Sequence, residues 1–263
     1  MKSRCFVMML CAVGLAAALT LPASAQEVKM LAITSSAGFE HSVVQREKGE
    51  LGFAEKILAE IGQKNGILVV PTKDGGLINA EVLKQFDVLL FYTTAELQNA
   101  GKDGSIPMNA ERRKDIIEFV KNGGGFVGSH TCTDTFHEWA EDGQKPYIEL
   151  VGGEFASHGA QETGYLKVLD HPITAHLDKN VEWALQDEWY IFKNVNNSLM
   201  PLMILQTKKM EQEQYNTLEP YSVCGVKDFG NGRVFTCALG HREDVWTSPK
   251  FQDLMVNGIK WAA

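Results

Sequence analysis

Four of the seven histidines in this chain, His41, His130, His158 and His241, each follow a stretch that reads as the end of a strand. Imidazole is both a common metal ligand and the side chain best matched to proton transfer near neutral pH, so four converging on one place would have chemical meaning. Any one of them alone is more simply a hydrogen-bonded structural residue. Asp187 and Glu188 close another strand-like stretch and offer a carboxylate, either as acid/base or as the group that orients an imidazole. Solvated loop charges are the plainer reading of that pair. Tyr190, Trp246, Trp139 and Phe155 lie near these polar groups in sequence, and flat apolar rings beside hydrogen-bonding groups suit the face of a sugar, although core packing accounts for them equally well.

Other patterns exclude chemistry. The run Gly128-Ser129-His130-Thr131-Cys132-Thr133-Asp134 has neither a cysteine at the turn nor G-x-S-x-G, and Cys132 reads as a small buried residue rather than a nucleophile. Gly123, Gly125 and Gly128 spell G-x-G-x-x-G, but they lead into a strand, whereas a dinucleotide fingerprint leaves a strand for a helix. His171 before Pro172 marks a restricted turn, and His137 and His176 read as surface residues.

The elements that must position these groups alternate. Val28–Thr34, Ile67–Thr72, Asp87–Tyr92 and Gly125–Ser129 are β-branched, apolar runs suited to buried parallel strands. Val44, Leu51, Ala54, Leu58 and Ile61 share one helical face, as do Ile116, Phe119 and Val120 after the cap Asn109, with Gly123 as the stop. Such a sheet gathers its chemistry at the carboxyl ends of its strands, which is where the four histidines fall. The second half is less regular, with strand-like pieces at Tyr165–Leu169, Trp183–Gln186, Leu202–Gln206, Val223–Lys227 and Arg233–Leu239. A closing helix is capped by Ser248 with Pro249 in its first turn, and buries Phe251, Leu254, Met255 and Ile259.

Lys2 and Arg4, the uncharged run Cys5–Leu21 and the triplet Ala23-Ser24-Ala25 read as a secretory signal peptide over residues 1–25, cut before Gln26. Export would place the chain in the periplasm or outside the cell. The formal charge of −8 becomes more acidic once the leader's two basic residues go, which argues against nucleic acid or a membrane surface as partner of the mature form. Beyond the leader only Cys132, Cys224 and Cys237 remain. A turn at Gly230-Asn231 would set Cys224 opposite Cys237, as a disulfide or as two core thiols.

Gly38-Phe39-Glu40-His41, Gly123 through His130, Leu150 through Phe155 with Ser157-His158, His171-Pro172-Ile173-Thr174, Asp187-Glu188-Trp189-Tyr190 and Gly232 through His241 resemble ThuA-like domains, the trehalose-utilisation family, in order and spacing. The likeness extends to Gly258-Ile259-Lys260-Trp261-Ala262 and so covers nearly all of residues 26–263. It implies an α/β, flavodoxin-like three-layer sandwich of the class I glutamine amidotransferase type, with a mainly parallel central sheet and no amidotransferase nucleophile. It also implies a link to disaccharide or glycoside use. Two departures stand out: Thr131-Cys132-Thr133 replaces a small-residue stretch, and Leu218-Glu219-Pro220 stands where relatives often carry Asp-His-Pro.

The leading expectation is an exported carbohydrate enzyme (a lyase, isomerase or hydrolase) acting on a disaccharide, glycoside or keto-sugar. His130, His241 and Glu188 are its catalytic candidates, and His41, His158, Asp187, Tyr190 and Trp246 its substrate-binding candidates. No cofactor is assigned and no metal ligand is named; a metal-dependent hydrolase holding an ion such as zinc is a third reading. A sugar-binding module without catalysis is the alternative from a different class, and a homo-oligomer is left open.

Overall fold

The computed structural model describes residues 27–101 and 103–263; the leader assigned to residues 1–25, with its cut before Gln26, lies outside the described residues. In chain order the elements are β1 (Val28–Ile33), α1 (Phe53–Asn65), β2 (Ile67–Thr72), α2 (Ala80–Leu83), β3 (Val88–Phe91), α3 (Arg113–Lys121), β4 (Gly125–Ser129), α4 (Pro146–Val151), β5 (Glu154–His158), β6 (Glu162–Val168), β7 (Trp183–Asp187), β8 (Tyr190–Lys193), β9 (Met200–Leu205), α5 (Glu213–Asn216), β10 (Tyr221–Phe229), β11 (Gly232–Cys237), α6 (Glu243–Thr247) and α7 (Pro249–Ala262).

One nine-stranded sheet runs β2-β1-β3-β4-β11-β10-β9-β6-β7, and β5 pairs with β8 in a separate small sheet. The first five strands are mutually parallel, and each of the next four is antiparallel to its neighbour. Two reversals restore the original sense, so β9 and β7 point the same way as β1 to β4 and β11. The carboxyl end of β7 therefore falls on the same edge as theirs.

Alternate residues of each buried strand serve opposite faces. Met30, Ala32, Val88 and Leu90 pack with α1, α6 and α7, whereas Leu31, Ile33, Leu89 and Phe91 pack with α2, α3 and α4. That is a three-layer α/β/α sandwich. Asn109 caps the 3-10 turn Ala110–Arg112 that leads into α3, its Oδ1 accepting from Glu111 N at 2.9 Å, whereas Ser248 stands at the expected start of α7 before Pro249 but makes no side-chain capping bond.

Four features depart from the sequence reading. The first helix begins at Phe53 rather than near Val44, because Lys48 and Gly49 take left-handed backbone (φ 52° and 83°) and split off a single 3-10 turn at Ser42–Val44. A buried Glu55 then holds the true start: it accepts from Gly52 N and from Arg46 through two 2.8 Å bonds, and receives the Thr34 hydroxyl. Strands β5 and β8 and helix α4 had no periodic signal long enough to mark them. Cys224 faces Cys237 across the β10–β11 hairpin as expected, and the two form a disulfide.

Four strand positions separate β7 from β11, about 19 Å in a flat sheet. Asp187 at the end of β7 nevertheless bonds Gly240 N, just past β11, at 2.9 Å. The antiparallel extension must curl back over the parallel half. Register shifts between β9 and β10 at Ser222, Cys224 and Gly225 lie within this extension, where such irregularities bend and twist a strand.

Candidate functional site

Four strand ends meet at this edge. The loop after β1 brings His41 to the start of its 3-10 turn, the turn after β4 carries His130, β7 runs into Asp187 and Glu188, and the segment after β11 delivers His241. His130 has φ 41°, a left-handed conformation that few non-glycine residues adopt, so the fold holds it there against local preference.

Glu188 is the hub. Its Oε2 lies 3.2 Å from His241 Nδ1, 3.5 Å from His130 Nε2 and 4.0 Å from His41 Nε2, while Oε1 lies 3.2 Å from His158 Nδ1. His130 Nε2 and His241 Nδ1 are themselves 3.3 Å apart. One donor atom from each of His41, His130, Glu188 and His241 can be chosen so that all lie within 4.8 Å of one another. His130 is fully buried and His41 nearly so, whereas the His241 and His158 side chains are 19% and 43% exposed.

Hydrogen-bond direction fixes one tautomer. His130 Nδ1 lies 2.9 Å from the Ala238 carbonyl, which can only accept, so Nδ1 carries the proton and Nε2 presents a lone pair to the cluster. Burial lowers the His130 pKa to about 4 against the pull of Glu188, and burial likewise lowers His41, so both rings are neutral at pH 7. Burial alone would raise Glu188, but the surrounding imidazoles of His130, His241 and His41 outweigh it and hold the carboxyl well below its ordinary range. The result is a carboxylate ringed by imidazoles.

The supporting layer explains how the loop after β11 is held. Asp187 accepts from Gly240 N at 2.9 Å, His241 N at 3.2 Å and Glu188 N at 3.0 Å. The Gly240 carbonyl in turn receives Tyr92 Oη at 3.1 Å and Trp246 Nε1 at 2.8 Å. Gly240 has φ 115°, and a β-carbon there would press on Ser129 Oγ and Trp246 Nε1, so glycine suits this backbone.

Three residues expected to bind substrate are corrected by this arrangement. Trp246 is fully buried, with its indole N–H spent on Gly240, and has no surface to offer a ligand. Asp187 is also fully buried and binds backbone amides; burial, the largest influence, raises its carboxyl to about 7 despite those bonds. Tyr190 is 2% exposed and forms a wall, its ring 4.4 Å from that of His130.

His158 does join the cluster, but from strand β5 of the small sheet rather than from a loop of the main one. His137 is no free surface residue: it bridges Asp134 at 2.7 Å and Glu154 at 2.8 Å. Burial pushes the Cys132 thiol up, which agrees with an inert core residue, and Trp139 packs on the far side of the sheet. Leu218-Glu219-Pro220 borders a separate cavity of about 480 Å³ that none of the four donors lines, so a histidine there is not needed to complete this cluster.

Sequence reasoning missed Tyr92 as a site residue, buried directly after β3 with nothing in its neighbourhood to mark it. It also missed Phe39 as a site residue: 66% exposed, its ring stands edge-on to His41 at 4.8 Å. The exposed side of His241 opens on a depression of about 530 Å³ bordered by Gln161 and Arg242, which are bonded at 2.7 Å. Phe53 adds an apolar side to this polar border, while Phe39 stands beside His41 and Phe155 beside His158.

The ThuA family, described as trehalose utilisation, matches residues 29–262. No curated protein sequence matches the chain at a significant level. Among solved structures, a ThuA-like protein from Bacteroides uniformis is 19% identical with a TM-score of 0.70 over 93% of this chain and 94% of that one. A second, from Parabacteroides merdae, is 18% identical with a TM-score of 0.66 over 90% of each. A β-galactosidase from Bacillus circulans sp. alkalophilus shares the fold alone, with 11% identity and a TM-score of 0.52 over 90% of this chain and 31% of that one.

Proposed function

This chain belongs to the ThuA trehalose-utilisation family, and from that premise we propose an exported enzyme of carbohydrate metabolism that acts on a disaccharide, glycoside or keto-sugar at the Glu188 cluster. One observation carries the reading: His41, His130, His158 and His241, far apart in the chain, all turn a ring nitrogen to within 4.0 Å of one carboxylate at the mouth of the sheet edge. A purely structural carboxylate has no need of so many imidazoles, whereas proton exchange or electrophilic assistance at a sugar oxygen does.

Roles follow from exposure and tautomer. His130 is enclosed and anchored to Ala238, so it supports the centre and does not itself meet substrate. His241 and His158 reach solvent while touching Glu188, and they are the groups placed to exchange a proton with a hydroxyl or an α-carbon beside a carbonyl. Phe39 and Phe155 offer apolar faces for the ring, and Gln161 and Arg242 offer partners for its hydroxyls. The reading of residues 1–25 as a leader supports action outside the cytoplasm.

The test is a panel of disaccharides, aryl glycosides and their keto forms, followed by product analysis. The wild type should turn over at least one class, and His241→Ala should lose most of that rate. Ligand-dependent thermal stabilisation with no product from any substrate would instead support a binding module and remove the enzyme.

A further inference from the structure

We propose that His130 Nε2, His241 Nδ1 and Glu188 Oε2, with His41 as the fourth donor, hold one divalent transition-metal ion of the zinc class. This deepens the reading of the cluster as the reaction site and rests on it for its chemical meaning, although binding of the ion needs no sugar.

Spacing is the first argument. Four tetrahedral donors at 2.0–2.1 Å from a zinc ion stand about 3.3 Å from one another. The three edges joining His130, His241 and Glu188 measure 3.3, 3.5 and 3.2 Å, one face of such a tetrahedron. His41 Nε2, 4.0 Å from Glu188, is the looser fourth vertex.

Hydrogen-bond direction is the second. With Nδ1 bonded to the Ala238 carbonyl, His130 turns its other ring nitrogen to Glu188, and the two metal-ligating atoms face each other at 3.5 Å. Either an added proton or a cation must sit among them. The ion pairs of Glu188 are all with histidines, and among the described residues no lysine or arginine reaches it to supply the charge.

His41 provides an independent sign. Its ring is 5% exposed, yet Nδ1 is enclosed without any partner and Nε2 makes no hydrogen bond shorter than its 4.0 Å approach to Glu188. A buried imidazole without hydrogen bonds is costly, and coordination through Nε2 would give the ring a partner on that side. The bond from His130 Nδ1 to a backbone carbonyl is also the outer contact that metal-bound imidazoles typically make, because it fixes the tautomer with the other nitrogen free.

Donor type selects the ion. Three imidazole nitrogens with one carboxylate suit zinc and its first-row neighbours, whereas calcium and magnesium prefer all-oxygen sites. Such an ion would act as a Lewis acid on a sugar oxygen.

The experiment uses tag-free protein, stripped with a chelator and titrated with zinc, cobalt(II) and magnesium by calorimetry and visible absorption. We expect about one equivalent of zinc or cobalt, intense cobalt bands of the four-coordinate type, and no heat from magnesium. His130→Ala, His241→Ala and Glu188→Gln should each weaken zinc by roughly 100-fold, while His176→Ala, on an exposed turn, should not. His241→Ala guards against the more deeply buried variants failing to fold. Less than about 0.1 equivalent in the wild type, or an isotherm that all three ligand variants leave unchanged, would overturn the site. Turnover that persists in fully stripped protein removes the ion and leaves the carbohydrate reading standing. Tight zinc binding with no turnover of any sugar does the reverse.

Discussion

Two buried glutamates, Glu154 and Glu188, meet imidazoles in different company. Glu154, at the head of β5, receives His137 Nδ1 at 2.8 Å, Lys145 Nζ at 3.0 Å, Lys193 Nζ at 3.2 Å and Asn194 Nδ2 at 2.7 Å. Burial would raise its carboxyl, but these donors overcome it and bring the pKa to about 2. Two of these donors are lysines, so the carboxylate is satisfied within the chain. Glu188 has imidazoles only. A buried carboxylate matched by lysines stabilises a fold, whereas one matched only by imidazoles stands ready for a proton, a substrate or an ion.

The sharpest break between the two should come from Glu188→Gln, which keeps size and shape while removing the charge. We expect loss of turnover by about three orders of magnitude, with the melting temperature of metal-free protein unchanged or slightly raised, as circular dichroism would report. An equally large loss of stability would mean that Glu188 is structural after all. Glu154→Ala should invert the pattern. It leaves His137 and two lysines around an empty place, at a cost of about 3 kcal/mol measured by urea unfolding, while the centre at Glu188 keeps its geometry.

Acid should distinguish them next. The folded pKa of Glu154 lies below its unfolded value of 4.5, so its stabilisation is complete above that value and is lost as pH falls toward about 2. Because Lys145 and Lys193 are partly exposed, the amplitude should be on the order of 1–2 kcal/mol. Glu154→Gln should flatten that limb of the stability profile; an unchanged limb would assign the acid sensitivity elsewhere. The smallest effect is expected from Lys193→Ala, whose side chain is 54% exposed: under about 1 kcal/mol by the same unfolding assay, since a half-exposed ion pair contributes little.

The parallel half was legible because its chemistry is simple. Val88–Phe91 and Gly125–Ser129 are buried on both faces and announce themselves as apolar runs. His41 after β1, His130 after β4 and His241 after β11 could be placed on one edge from the sequence alone. Glu188 was legible only as one of two adjacent carboxylates, since its partners lie 147, 58, 30 and 53 positions away at His41, His130, His158 and His241. What decided between Asp187 and Glu188 was alternation: Asp187 turns inward to backbone amides while the next residue turns to the mouth. Nor could pattern reveal that Trp246 is enclosed, because a tryptophan at a pocket wall and one beneath it look alike in sequence. Strands β5 and β8 stayed hidden for a related reason. Glu154-Phe155-Ala156-Ser157-His158 has one large apolar residue, and only pairing with Tyr190–Lys193 makes it a strand.

The curl of the sheet brings the centre together. Without the curl of the antiparallel strands, Glu188 would stand far from His130 and His41. The donors are therefore assembled by tertiary contact alone, and the Asp187–Gly240 bond is the tie that keeps the two halves of the sheet edge together.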